Sequence, residues 1–287
     1  MYYKNKVLVV LIMILKEKEL KLIKIYMYIC DVYESSLKFY YQKFSNNNHP
    51  FAKEYLLSWF PDLPSYQVFN YRLNLMPEAI SELVRQLIHS FKPQDCDSMK
   101  SLVDSMPIIT CAGKNTVGKV ATEITSKGYC STKNMYYFGL KLHAVAFRRK
   151  GTIPFPEMLI LSAADENDST VFKREYVGNL NNREIYADKI YSDIPFYKET
   201  KESQKLELFT PVKAIKGESP EITKREKAAR DLFSTAVSKV RQPIESLFNW
   251  LNEKTNIQRA MKVRSTSGLL LHTMGKIAIA LITLIFN

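Results

Sequence analysis

Apolar positions recur at helical spacing over residues 77–91, PEAISELVRQLIHSF, where Ile80, Leu83, Val84, Leu87 and Ile88 line one side. Pro77 suits a first-turn position, because an N–H there would have no intrahelical partner. Just upstream, the prolines and Ser65 of FPDLPSYQVFNYRLNLM predict a turn and then a helix over residues 67–75, with Ser65 as N-cap. Residues 1–60 mix Lys, Leu, Ile and Tyr and read as helical, with a first clear break at NNNHP.

The period changes after Lys92. SLVDSMPIIT and the longer MYYFGLKLHAVAF read as strands, and a turn at RRKGT leads into a third strand, PEMLILSAA. DSTVFKREYVGNL predicts a helix capped by Asp168, with Gly178 near its end. REIYADKIY is a fourth strand ending at a carboxylate, and LELFTPV a fifth. From Glu221 the pattern is helical to the end, with breaks near Pro243 and at residues 265–268. This order predicts an α/β fold with a mixed five-stranded sheet flanked by helices, behind an N-terminal helical region.

Charge narrows the choice of partner. The chain carries 41 Lys+Arg against 29 Asp+Glu, a formal net charge of +12, which favours nucleic acid or an anionic membrane surface. Cys30, Cys96, Cys111 and Cys130 lie far apart with no CxxC pair, so no zinc site or disulfide framework follows, and reduced thiols in a cytoplasm are the simplest reading. Two apolar runs, VLVVLIMIL and IAIALITLIF, are too short to span a bilayer as helices. Both are expected to be buried or partner-covered helices, with no stable membrane association.

Three acids have unusual settings. Asp104 interrupts an apolar strand, Asp188 ends another, and Glu245 opens the helical run PIESLFNWL four residues after Arg241. Each alone suits a turn, a cap or a solvated position. Together, two strand-end aspartates and one helical glutamate can converge above one sheet edge. Their oxygens are of the kind that holds two divalent ions and cleaves a phosphodiester. Magnesium suits such a set, since it takes a few carboxylates together with water and phosphate oxygens. A proline inside a helix costs about 3 kcal/mol, so Pro243 is expected in a first turn. Ile244, Leu247, Phe248 and Leu251 then form the buried stripe, with Glu245 on its flank.

DSMPIITC, KGYCSTKNMYYFGLKLHAVAF, ADKIY and VRQPIESLFNWLNEKTNIQRA, in that order, resemble bacterial insertion-sequence transposases with a DDE domain, nearest to the group of insertion sequence 982. The resemblance covers roughly residues 55–287. It implies a ribonuclease-H-like catalytic domain over residues 96–287, with Asp104, Asp188 and Glu245 as the metal-binding triad. It also implies two Mg²⁺ ions, with Mn²⁺ able to substitute. Double-stranded DNA, as transposon ends and target, would be the partner of a homodimer, in a bacterial cytoplasm and on the nucleoid. Residues 1–95 would be a helical DNA-binding region, shorter than is usual in the group. Ser238 and Asn252 stand where such transposases commonly carry tyrosine and lysine.

DNA-contact candidates follow from charge and spacing. Lys141 and His143 share one face of their strand by period 2, facing DNA or simply polar. Lys189 adjoins Asp188, and Arg241 either contacts phosphate or orients Glu245. Lys254, Arg259 and Arg264 belong to a basic stretch able to track a DNA backbone. Asp193 reads as a helix N-cap rather than a ligand. Two other readings stay open on sequence alone: a catalytically inactive DNA-binding remnant of an insertion sequence, and a basic membrane-associated protein.

Overall fold

The computed structural model describes residues 64–114, 117–213 and 217–286. The chain divides into two compact units, one formed by Lys92–Trp250 and the other by the chain up to Phe91 with Leu251–Asn287. Residues 1–63, including the apolar run VLVVLIMIL and the expected helical stretch, lie outside the described residues.

The first unit is built on a sheet of six strands. They are β1 (Cys96–Ala112), β2 (Ser126–Cys130), β3 (Met135–Arg149), β4 (Phe155–Ala163), β5 (Arg183–Tyr186) and β6 (Leu206–Phe209). β1 is central, antiparallel to β3 on one side and parallel to β5 on the other. β6 extends the parallel half beyond β5. The far edge of β3 is divided, with residues 135–139 pairing β2 and residues 140–147 pairing β4.

Five of these strands match the expected ones, and β2 is the addition. Its string SKGYC is short and broken by Gly128, which hides the strand signal. The glycine is required because a Cβ there would stand 2.3 Å from the Ala164 carbonyl oxygen. Between β4 and β5 lies α3 (Asp168–Glu175), and between β5 and β6 lies α4 (Ile194–Gln204). Val103 and Val145 of the sheet pack with Phe172 of α3 and Tyr176 just after it, and with Tyr191 and Leu206, in one buried cluster. Phe172 meets Tyr191 edge to face at 5.8 Å between centroids, a favoured aromatic geometry.

Two later helices frame the candidate site, α5 (Pro220–Arg241) and α6 (Pro243–Thr255). α6 begins at Pro243 as expected, and Ile244, Leu247, Phe248 and Leu251 are all buried.

In the other unit, α1 (Tyr66–Leu73) is capped by Ser65, whose Oγ accepts from the Val68 amide at 3.4 Å. α2 (Pro77–Ser90) buries Ile80, Leu83, Val84 and Leu87, the stripe its periodicity predicts. It packs along α7 (Thr266–Phe286). Residues 266–285 of α7 are long and apolar enough to cross a membrane, and half of that stretch is buried inside the protein. The apolar run at 277–286 is therefore the second half of a longer helix.

Candidate active site

Strand register brings the two aspartates together. In the parallel pair of β1 and β5, Leu102 lies level with Tyr186. Asp104 and Asp188 each follow by two residues, so alternation sends both to the same face of the sheet. Asp188 keeps an extended backbone, φ −73° and ψ 163°, before the chain turns into the short 3₁₀ helix Lys189–Tyr191. The Ala187 amide still donates to the Phe209 carbonyl at 3.1 Å, which carries the ladder to β6 one step past β5. The carboxyl ends of parallel strands are where open α/β sheets place their ligands.

Glu245 reaches the same place through Arg241. Gln242 between the two helices has helical angles, φ −44° and ψ −36°, so the four-residue spacing still puts Arg241 and Glu245 on one side. Arg241 Nη1 donates to Asp104 Oδ2 at 2.8 Å, and Nη2 donates to Glu245 Oε1 at 2.5 Å. One guanidinium thus ties the central strand to the start of α6. Its Nε is buried without a hydrogen-bond partner. The Glu245 side chain is 50% exposed, against 22% for that of Asp104.

Asp104 is short of compensating charge. Its Oδ1 accepts from the Ser105 amide at 2.9 Å. Burial pushes its carboxyl up to about 6; the Ser105 amide and Arg241 oppose this, while the charges of Asp168 and Asp188 add to it. For Arg241, burial favours loss of the proton, but Asp104 and Glu245 outweigh it and hold the guanidinium above its ordinary range.

Asp168 is a carboxylate whose place the sequence misassigns. It was expected to cap α3, but the N-cap is Asn167, whose side chain accepts from the amides of Ser169 and Thr170. Asp168, freed from capping, turns inward. Its Oδ2 accepts from Ser105 Oγ at 3.0 Å, and its Oδ1 accepts from Lys141 Nζ at 2.8 Å. The string END offers adjacent capping side chains, and hydropathy does not rank them. The signal that could have found the pair is Lys141 itself, a lysine inside a strand of nearly unbroken apolar residues.

The other predicted contacts fall in different settings. Lys141 and His143 do share a face. Lys141 is held by Asp168 and by the Glu166 carbonyl at 2.8 Å, and His143 is 2% exposed with Nε2 2.8 Å from Ser162 Oγ. Burial lowers the His143 pKa to about 4, so the ring is neutral at physiological pH. Lys189 is exposed beside Asp188. Asp193 caps α4 as expected, accepting from the Phe196 amide at 3.2 Å. In the other unit Lys254, Arg259 and Arg264 are exposed, and Arg264 Nη1 donates to the carbonyls of Met261 and Val263. There Asn252 accepts from the Gln258 amide.

Residues 95–282 match the family model described as a transposase DDE domain. The chain belongs to that family. No curated protein and no solved structure gives a match. DDE domains are ribonuclease-H-like, and the six-stranded mixed sheet of this transposase, with its antiparallel and parallel halves meeting at β1, is that fold.

The family generally works with divalent metal. As the side chains stand, no group of three or more His, Cys, Asp or Glu among the described residues could hold a metal ion. The donor chemistry nevertheless fits. Asp104 is a desolvated carboxylate with acidic neighbours and a raised pKa, the kind of hard oxygen donor a small divalent cation neutralises. Arg241 now supplies the positive charge between Asp104 and Glu245.

Proposed function

We propose that Asp104, Asp188 and Glu245 form the catalytic triad of a DNA transposase that cleaves the ends of its element and joins them to target DNA. The matched register of Asp104 and Asp188 beside the Arg241–Glu245 pair carries this reading. These three carboxylates would hold Mg²⁺, or Mn²⁺ in its place. Two such ions held there would supply activation of the attacking oxygen and stabilisation of the leaving oxygen of the scissile phosphodiester.

The protein's own residues prepare this step. Ser105 and Arg241 fix the two oxygens of Asp104, so the carboxylate is held before substrate arrives. Arg241 also holds Glu245, and in the DNA complex its guanidinium can turn to a phosphate oxygen, for which its fork geometry is suited. Hydrolysis would leave a 3′-hydroxyl at the element end, and that hydroxyl would then attack a phosphodiester of the target. Exposed Lys189, Lys254, Arg259 and Arg264 would neutralise phosphates of the bound duplex.

Two ends must be handled together, which favours a homodimer on DNA. Insertion sequence 982 is the proposed group, on the four sequence blocks named above. The deciding experiment is cleavage of an end-bearing duplex with Mg²⁺. Wild type is expected to nick it, and the Asp188→Ala variant to lose at least about a hundredfold in rate while still binding DNA. An Asp188→Ala protein that cleaves at the wild-type rate would remove Asp188 from the triad.

A further inference from the structure

The β2–β3 hairpin carries a surface that the carboxylate site does not use. Tyr129 and Tyr136 face each other in register across it, with ring centroids 5.0 Å apart and planes tilted by 56°. Such cross-strand pairs steady a two-stranded ribbon, yet 49% of Tyr129 and 58% of Tyr136 remain exposed. The Tyr129 hydroxyl donates to Asn134 Oδ1 at 2.6 Å, which fixes the ring before any partner arrives and lowers the entropy lost on binding. Lys127 adjoins the pair on the same face, its ammonium 5.4 Å from the Tyr136 ring centroid. Phe138 lies opposite Lys127 but is covered, since a Cβ on Gly118 would come within 2.6 Å of its ring. The loop therefore buries the inner aromatic and leaves the outer pair open. Residues 113–136 carry four lysines, Lys114, Lys119, Lys127 and Lys133, and a single acid, Glu123.

We propose that this hairpin is a DNA-contacting arm, in which the tyrosine pair stacks on a base lifted out of the helix and the lysines neutralise the flanking phosphates. The proposal rests on the transposase reading of the carboxylates and deepens it. Exposed aromatic faces among cations are the surface that holds unpaired bases without reading their sequence. Placement agrees with the chemistry. Beyond Asp104, β1 runs toward Gly113, whose amide donates to the Tyr136 carbonyl at 2.8 Å, so the hairpin continues the sheet on that side. Ala144 lies opposite Asp104, and Tyr136 stands eight residues from it along β3. That is roughly 25 Å of strand, or about seven base pairs of duplex. A DNA end crossing the carboxylates would meet the tyrosines at about that depth from the cut. A second copy of the chain is the competing occupant, and the excess of like charge on the arm opposes it.

The test measures binding by the full chain to three labelled DNAs. These are an oligo(dT) strand, a blunt duplex, and the same duplex with one unpaired 2-aminopurine. Wild type is expected to prefer the first and third and to quench the 2-aminopurine. Tyr129→Ala with Tyr136→Ala should weaken both by about tenfold or more, while the blunt duplex changes little. The double phenylalanine variant, which keeps the faces, should restore binding. Lys127→Gln with Lys133→Gln should lower the log–log salt slope by roughly one per lysine. Alanine variants that are folded by circular dichroism yet bind all three DNAs like wild type would overturn the proposal. So would a wild-type dimer in sedimentation that the same substitutions dissociate. If wild type fails to cleave while the tyrosine-dependent binding persists, the cleavage reading falls and the arm stands.

Discussion

Replacing Asp104 by asparagine should make the folded protein more stable at neutral pH while removing the proposed ligand. Burial leads the causes that raise the Asp104 carboxyl from 3.8 to about 6. Each unit corresponds to about 1.4 kcal/mol, so keeping this group ionised costs the folded state roughly 3 kcal/mol. The side chain is 22% exposed, so solvent screens only part of this. The sign follows from where the proton is held more tightly. The folded state binds it better, so the contribution is fully present below about pH 4 and is lost as pH rises through about 6.

Asparagine keeps the size of the neutral acid and cannot ionise. The Asp104→Asn protein should therefore match wild type near pH 4 and gain steadily above it, reaching a plateau of roughly 2–3 kcal/mol above pH 7. In melting temperature that is about 5–10 °C. Thermal unfolding followed by circular dichroism in EDTA, over a pH series, reads this directly. His143, held near 4 by burial, titrates in the same window with the opposite slope, but it is present in both proteins and cancels in the difference. A difference that does not vary with pH, or an Asp104→Asn protein that is less stable at pH 8, would refute the reasoning.

Two further predictions concern the region around the proposed triad. The Lys141 and Asp168 side chains are only 17% and 14% exposed, so Lys141→Met should cost about 2–4 kcal/mol by stranding a buried carboxylate. The Lys141→Met/Asp168→Leu double variant should recover most of that loss in urea unfolding, and a double variant as unstable as the summed singles would contradict it. Asn167→Ala should cost about 1 kcal/mol in the same assay, because two amides at the start of α3 lose their acceptor, whereas wild-type stability would leave the cap without weight.

Periodic segments were the most legible in the sequence. The stripes of α2 and α6 and the long β3 follow directly from their apolar spacing, because those faces are buried. Ser65 read correctly as a cap because no rival capping residue stands beside it, and Asp193 because Pro195 two residues on fixes the first turn of α4. β2 escaped because five residues with a central glycine carry no period, and its place is set by a long strand that follows it. The three proposed ligands could be named from their settings, and the four-residue spacing offered Arg241 as a partner of Glu245, but its contact with Asp104 could not be read. That contact spans 137 positions and depends on how α5 meets the sheet. Asp168 was misassigned for a local reason, since Asn167 and Asp168 compete for the same amides and the loser is free to turn inward.

The short β5 has a bearing on which genetic changes such a protein can survive. Only the step from Tyr186 through Ala187 separates its last pair from Asp188, and Ala187 is fully buried with its amide bonded to Phe209. Because side chains alternate at every residue, an in-frame deletion of one codon here would turn the carboxylate to the opposite face of the sheet. Extra codons at the tip of the β2–β3 hairpin or in the loop after β6 would leave that parity untouched. Copies accumulating insertions and deletions should therefore lose activity by parity at β5 long before they lose the fold, and their lengths should vary at the hairpin tip and the loop while staying fixed between Arg183 and Asp188.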